Sequence, residues 1–457
     1  MTSNLLSETV IVSVDDLVKR MKSGIKSSQK FRIGVEHESF VFSQPDHLPV
    51  PYEGERSILS ILNDMNRKLN WESITDKENL IGLSNPTSQA GISLEPGGQI
   101  EVSSAPLKNV HQIKEEIFGY ITILKDITHR LDLGIVGIGA NPKWALAEIP
   151  VMPKSRYKLM KKYMPEVGTH GRDMMFRTCT TQVSLDFSSE IDMIKKLRVS
   201  LKLQPLATAL FAFSPFTERK INGFQSWRGE IWRHTDRNRT GLLPFVFEKN
   251  FCFEHYIQWA LDIPMYFIIR NDQYYGCTDI TFRQFMNGAL KGRVELWYPT
   301  MEDWENHLST LFPDVRLRNC LEMRGADSST PQQILALTAF WTGLLYDSSA
   351  LQDVEDLTSS WSFHDVENLR NNVPSQGMKA TIHNQPLINI AHQVLSFSRN
   401  GLKKRSQLNH KQEDETIFLK SLENIINSQK SLSDEIIASY HNQWNNSVEP
   451  FFEEYAY

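Results

Sequence analysis

Glutamates recur in this sequence at spacings that would gather them on the faces of β-strands. In residues 31–40, FRIGVEHESF, Glu36 and Glu38 stand two apart, so a strand there carries both on one side. His37 alternates with them and faces away, which makes it a packed or structural histidine rather than a ligand. In residues 92–107, ISLEPGGQIEVSSAPL, Glu95 precedes and Glu101 follows Pro96-Gly97-Gly98, where the backbone can bend sharply. Read as a strand from Gln99, this stretch sends Gln99, Glu101 and Ser103 one way and Ile100 and Val102 the other. A bend of this kind can turn two carboxylates toward one point, which is what a hard cation needs. The bland alternative is an edge strand whose acids face water.

Two further stretches share the design. Residues 177–187, RTCTTQVSLDF, alternate strictly, with Thr178, Thr180, Gln182, Ser184 and Asp186 on the polar side. Residues 315–324, VRLRNCLEMR, read as one strand with Leu317, Leu321 and Met323 on one face and Arg316, Arg318, Glu322 and Arg324 on the other. If all four stretches share a sheet, their polar sides form one concave surface bearing five glutamates. Like charges at that density repel unless cations sit among them. Residues 221–247 add arginines and aromatics with little periodicity, as in a functional loop. Arginine there suits carboxylates and phosphates, which it grips through two N–H groups; a surface loop with solvated arginines is the alternative.

The elements that must position these groups are legible from periodicity and capping. Residues 14 to about 27 begin a helix, with Ser13 as N-cap and acids in the first turn. Residues 56–68 and 110–131 have helical apolar spacing. Residues 155–164, 192–212 and 301–311 read as helices, and residues 274–290 as a hairpin or turn plus a short helix. From Pro331 onward the chain is mostly helical: 334–345, 353–371, 385–397, 413–428 and 432–446. No repeat, low-complexity linker or domain boundary is evident. The expectation is one unit over residues 1–457, strand-rich over about 28–330 and mostly helical over about 331–457.

Composition narrows the function. The chain has 457 residues, 40% hydrophobic and 23% charged, as in an ordinary soluble enzyme. A net charge of −5 without a basic block gives no reason to expect nucleic-acid binding. No apolar run is long enough for a membrane helix, and the first residues lack a leader pattern, so a cytoplasmic protein is expected. Cys179, Cys252, Cys277 and Cys320 are widely spaced and read as reduced thiols. Residues 133–144, LGIVGIGANPKW, are a buried strand and loop. Their glycine spacing is wrong for a dinucleotide fingerprint, and Asn141-Pro142 stops a helix from starting there. No GxxxxGK[ST], HExxH or GxSxG occurs.

Six stretches taken together resemble one family. GVEHESF, SLEPGGQIEVSSAPL, GIGANPKW, RTCTTQVSLDFSSE, SWRGEIWRHTDRNRTGLLPFVF and DWENHLSTLFPDVRLRNCLEMRGAD occur in the order found in glutamate–cysteine ligases of the plant and proteobacterial type. The resemblance covers nearly the whole chain. It implies an α+β fold: a glutamine-synthetase-like catalytic domain whose curved antiparallel sheet has a concave active-site face and surrounding helices. It implies ATP-dependent joining of the L-glutamate γ-carboxylate to the L-cysteine amine through γ-glutamyl phosphate. The products would be γ-glutamylcysteine, ADP and phosphate, in the first step of glutathione biosynthesis.

The resemblance also assigns roles. Glu36, Glu38, Glu95, Glu101 and Glu322 would be magnesium ligands, with Gln182 beside them as a neutral ligand. Arg228 would clamp the glutamate α-carboxylate, and Arg324 would act with Glu322 on the transferring phosphoryl group. Arg177, Thr178 and Thr180 would line the glutamate pocket, with Trp232 and Arg239 contributed by the loop. A monomer or homodimer is expected. Two features depart from the family. Ser39 stands where many members have lysine, and Cys277 fits the first position of a plant regulatory disulfide for which residues 291–294 supply no second cysteine. Two alternatives stay open: a ligase of the same superfamily with a different acceptor amine, and a non-catalytic relative that binds ATP or glutamate.

Overall fold

The strand that carries Glu36 and Glu38 lies at the centre of the molecule. The structure, a computed structural model, describes residues 9–457. The reading of the chain's first residues as leaderless falls partly outside these. β1 (Ile33–Ser43) alternates buried and half-buried positions over its first half and then turns wholly apolar at Phe40, Val41 and Phe42. That change of pattern matches a change of neighbours. The first half is flanked by β5 (Ile100–Ser103) and β7 (Thr181–Leu185), and the second half pairs with β6 (Leu133–Val136).

The nine-stranded sheet runs β8 (Val315–Leu317), β9 (Leu321–Met323), β7, β1, β5, β4 (Gly91–Leu94), β3 (Asn79–Ser84), β2 (Glu72–Asp76), with β6 joined to β1 off this path. Every pairing is antiparallel. The fold is therefore α+β. The four stretches expected to share a sheet do so, but residues 315–324 form a hairpin rather than one strand. Arg318 donates its backbone N–H to the Cys320 carbonyl at 2.9 Å, and Arg316 comes to face Glu322. β2 and β3 had no sequence signal, because β2 is a polar, mostly exposed edge with a register shift between Ile74 and Thr75.

Register sorts the two faces. Ile33, Val35 and His37 oppose Leu185, Val183 and Thr181, so these side chains share the back of the sheet. The back packs against α8 (Pro331–Leu345), a helix buried almost throughout. Burying that many aliphatic side chains at about 25 cal/mol per Å² holds the sheet to its helices.

Local rules place the helices. α1 (Val14–Lys22) starts at Ser13, whose backbone N–H donates to Asp16 Oδ2 at 3.0 Å in a capping box. α2 (Ile58–Leu69) and α3 (Val110–Arg130) are capped by Ser57 and Asn109. α4 (Ser155–Val167), α5 (Gly171–Arg177) and α6 (Glu190–Leu210) follow. Residues 221–247 are less irregular than expected. α7 (Trp227–Arg233) forms there because Ser226 Oγ accepts the Gly229 N–H at 3.0 Å. The helix expected over residues 353–371 is two helices, Ser348–Leu357 and Phe363–Gln376. Ser362 opens a new capping box with Asp365 that restarts the chain.

All four cysteines are free thiols. Cys277 is buried just after the hairpin Phe267–Arg270/Gln273–Gly276. Activity should therefore be unchanged by a phosphine reductant, measured with substrate thiol kept reduced in both arms. A large reversible loss on reduction would contradict the free-thiol arrangement.

Candidate active site

Glu38 on β1 lies directly opposite Glu101 on β5, and Glu101 lies opposite Ser93 on β4. Glu36 lies opposite Gln182 on β7 and Ser103 on β5. Opposed residues of an antiparallel pair share a face, so all of these point away from the apolar back. Glu38 accepts the Thr180 N–H at 2.9 Å, and Glu101 accepts the Ser93 hydroxyl at 2.8 Å.

Glu95 reaches the same region from the β4–β5 turn. Gly98 has φ +87°, and a Cβ on Gly97 would lie 2.6 Å from the Phe176 carbonyl oxygen, so the turn needs both glycines. Gln99 staples the turn to the next wall. Its Oε1 accepts the Gly97 N–H at 2.8 Å, and its Nε2 donates to the Thr178 carbonyl at 3.0 Å. The Tyr157 hydroxyl, 3.3 Å from Glu95, approaches from α4.

Arginines form the opposite wall. Arg316 grips Glu322 with two bonds, at 2.6 and 2.9 Å, and Arg324 adds a third at 3.1 Å. Arg324 also donates to Gln182. Arg228, on α7, donates to the Arg324 carbonyl at 3.0 Å. The start of α7 is fixed by Asp327, a 1% exposed residue that accepts the hydroxyls of Ser226 and Ser214, both at 2.7 Å.

Two cavities flank this layer. One is lined by Glu38, Glu95, Thr178, Thr180, Arg228, Trp232 and Arg324, together with Arg156, Tyr157 and a methionine wall of Met160, Met174 and Met175. Three buried N–H donors with no partner in the protein belong to residues of this lining: Arg156 Nε, Arg228 Nε and Trp232 Nε1. Orphaned buried donors are costly, so their concentration here points to an anionic ligand. The other is a more open hollow of about 1630 Å³. It holds Glu36, with Lys26, Lys30 and Arg32 near its rim. Glu36 and Glu38 therefore share a face but open onto different spaces.

Burial, and then the neighbouring carboxylates, raise the acids' affinity for protons. Glu38 is pushed up to about 8 by burial and Glu95, and Glu101 to about 8 by burial, Glu95 and Glu38. Glu36 is raised by burial, Glu101 and Glu322. Glu322 differs: burial alone would raise it, but Arg316 and Arg324 hold it down at about 2. Among the described residues no three acidic, imidazole or thiol groups form a ready-made metal cage. The glutamates are spread along one face of the sheet rather than gathered at one point. Glu36, Glu38, Glu95 and Glu101 nonetheless form an all-oxygen donor set whose strain a hard divalent cation would relieve, so they fit magnesium chemically. Glu322 and Gln182 spend their acceptors on arginine.

Two expected pocket residues lie elsewhere. Arg177 does not line the cavity; it pairs with Asp173 at 2.9 Å and Glu218 at 2.7 Å, which fixes α5. Arg239 has no exposed side-chain surface. It pairs with Asp236 at 2.7 Å and stacks 3.9 Å from the centroid of the Tyr266 ring, a structural post outside the cavity. Sequence reasoning missed Arg156 and Asp327, and it placed Arg316 on the Glu322 face without a role. Arg156 has the pattern of an ordinary helix residue, and the contacts of Asp327 are all long-range. Ser39 lies on the back with His37, 3.0 Å away, so replacing lysine there removes no charge from the acidic face.

The structure superposes on the crystal structure of a glutamate–cysteine ligase from Francisella tularensis in complex with AMP. The TM-score is 0.54 at 11% identity, covering 93% of this chain and 89% of that one, which shows a common fold. Residues 32–454 match the model of glutamate-cysteine ligase family 2 (GCS2), and the chain belongs to that family. A chloroplastic glutamate–cysteine ligase of Nicotiana tabacum is 47% identical over 97% of this chain and 83% of its own length. The Arabidopsis thaliana chloroplastic enzyme is 44% identical over 100% of this chain and 85% of its own. These chloroplastic relatives overturn the cytoplasmic expectation. That expectation rested on a missing leader pattern, and the first residues of a sequence carry no such weight.

Two outcomes follow from this geometry. Between the ordinary carboxyl value of 4.5 and about 8, folded Glu38 and Glu101 keep protons that the unfolded chain has released. Their contribution to stability is full below that window and lost as pH rises through it. His37 and His307, lowered to about 3 by burial, act oppositely but only below 6.5. Without divalent cations the melting temperature should therefore fall from pH 6.5 to 8, and saturating magnesium should flatten the fall. A flat or rising profile without cations would contradict the raised values. Arg239→Met should cost about 3–5 kcal/mol by stranding buried Asp236, while leaving the glutamate KM of the folded enzyme unchanged; a raised KM at unchanged stability would return Arg239 to the pocket.

Proposed function

We propose that this protein joins the γ-carboxylate of L-glutamate to the amine of L-cysteine at the expense of ATP, as the first step of glutathione biosynthesis. The observation that carries the reading is one cavity whose lining combines the carboxylates of Glu38 and Glu95 with residues bearing orphaned arginine and indole donors. Membership of the glutamate–cysteine ligase family gives that chemistry its substrates.

Arg228, through its unpaired Nε, takes the α-carboxylate of glutamate, and Trp232 adds a neutral N–H donor from the same helix. Thr178 and Thr180 line the adjoining wall. Arg156 supplies a second cationic donor, suited to the carboxylate of the other amino acid. Met160, Met174 and Met175 give a soft, apolar wall matched to a thiol side chain. The hollow beyond Glu36, with Lys26, Lys30 and Arg32, suits a polyphosphate.

Magnesium, held by Glu36, Glu38, Glu95 and Glu101 and by what acceptor capacity Glu322 and Gln182 retain, would neutralise the polyphosphate and polarise its terminal phosphorus. The glutamate γ-carboxylate oxygen attacks that phosphorus, the bond to the ADP oxygen breaks, and γ-glutamyl phosphate forms. Arg324, fixed by Gln182 and Glu322, steadies the transferring phosphoryl group. The cysteine amine then attacks the acyl carbon, its proton is lost and phosphate leaves.

The test uses hydroxylamine in place of cysteine. It should give γ-glutamyl hydroxamate in a reaction dependent on ATP and magnesium, with one ADP released per product. Formation of AMP and pyrophosphate, or no hydroxamate from enzyme active with cysteine, would overturn the acyl-phosphate route.

A further inference from the structure

The back of β1, directly behind Glu36 and Glu38, is held by a residue far away in sequence. Tyr457 pairs its backbone N–H with the Ile135 carbonyl on β6 at 3.0 Å. Its hydroxyl lies 2.6 Å from the Ser329 carbonyl oxygen and 2.6 Å from His37 Nε2. An oxygen–oxygen contact that short to a carbonyl needs a proton between the two, so the tyrosine donates to Ser329. The hydroxyl is then the acceptor of a proton on His37 Nε2. That leaves His37 Nδ1 to accept from the Thr181 hydroxyl, 3.3 Å away on β7. One chain of hydrogen bonds thus runs from β7 through β1 to the loop after Arg324.

The slot for this hydroxyl is built by a glycine. A Cβ on Gly137 would lie 2.0 Å from the Tyr457 hydroxyl oxygen. A second tie lies beside the first: the Ser328 hydroxyl donates to the Glu38 carbonyl at 2.5 Å. Residues 324–329 therefore carry Arg324 at one end and grip the back of the carboxylate strand at the other.

We propose that Tyr457 is a positioning residue for the carboxylates of β1. Through His37 it holds the strand in the register that keeps Glu36 and Glu38 in place as cations bind, without touching substrate. The proposal rests on the reading that these glutamates hold cations. Outer partners of ligand-bearing groups act in this way, and their loss weakens metal affinity by roughly tenfold or more.

The test is Tyr457→Phe, which keeps the ring and removes the hydroxyl. In the cation-free protein, amide hydrogen exchange should speed up over residues 33–43 and stay unchanged over residues 72–84. The magnesium concentration for half-maximal activity should rise about tenfold, with the glutamate KM changed less than about twofold. Should this variant be too unstable to purify, Ser328→Ala removes the neighbouring tie and should give the same pattern. Unchanged exchange in residues 33–43, or an unchanged magnesium requirement, would overturn the proposal. Glu36→Gln measured alongside separates the two claims. If it leaves the magnesium requirement unchanged, the cation reading fails. If it raises that requirement and Tyr457→Phe does not, only the role of Tyr457 fails.

Discussion

Two carboxylates set directly opposite each other in the middle of a sheet are the constraint that the rest of this structure answers to. Glu38 and Glu101 are cross-strand partners with Glu95 as a shared neighbour. In a strand pair built for stability, like charges in that position are a cost. Lys154 beside Glu101, and Arg228 and Arg324 beside Glu38, offset only part of it. Lys154 donates to Tyr157 and the Leu94 carbonyl, and burial lowers it to about 8. The rest of the repulsion is left for protons or cations to offset, while the sheet's connections and its apolar back keep the two acids from moving apart.

Strand β1 manages this by dividing its labour by face. In its first half Glu36 and Glu38 carry acid on one face, and Ile33, Val35, His37 and Ser39 are packed or hydrogen-bonded behind. His37 is the informative member. Burial holds it neutral, at about 3, and its ring nitrogens are spent on neighbours. A histidine between two glutamates invites a reading as a third ligand, and strand alternation is what excludes it.

Much of this was legible in the sequence because it depends on spacing within short segments. Acids two apart, the Pro-Gly-Gly bend and the cap at Ser13 need only local geometry. What was not legible depends on where a segment docks. Arg239 and Arg228 sit in one arginine-rich stretch and look equivalent in sequence. The structure buries one against Asp236 and Tyr266 and lines the cavity with the other. Arg177, beside the threonines that do line the cavity, turns to Asp173 and Glu218 because α5 ends there. Residues 315–324 alternate convincingly as a single strand, yet they fold as a hairpin. In that hairpin Arg316 faces Glu322, and the acid expected to stand with the others is drawn to the arginines.

That last rearrangement gives the face its polarity. Glu322, clamped by Arg316 and Arg324, is the most acidic of the group, whereas Glu38 and Glu101 hold their protons to about pH 8. An arriving cation therefore meets a gradient. At the β5 side it would displace protons and relieve repulsion. At the β9 side the charge is already balanced by guanidinium groups, so a cation gains little. Of those two guanidinium groups, that of Arg324 lines the cavity beside Glu38, where it can meet negative charge. One sheet face thus presents a cation-seeking edge and an anion-seeking edge a few residues apart. In the reaction proposed above, that arrangement would let a carboxylate and a polyphosphate approach each other despite their like charge.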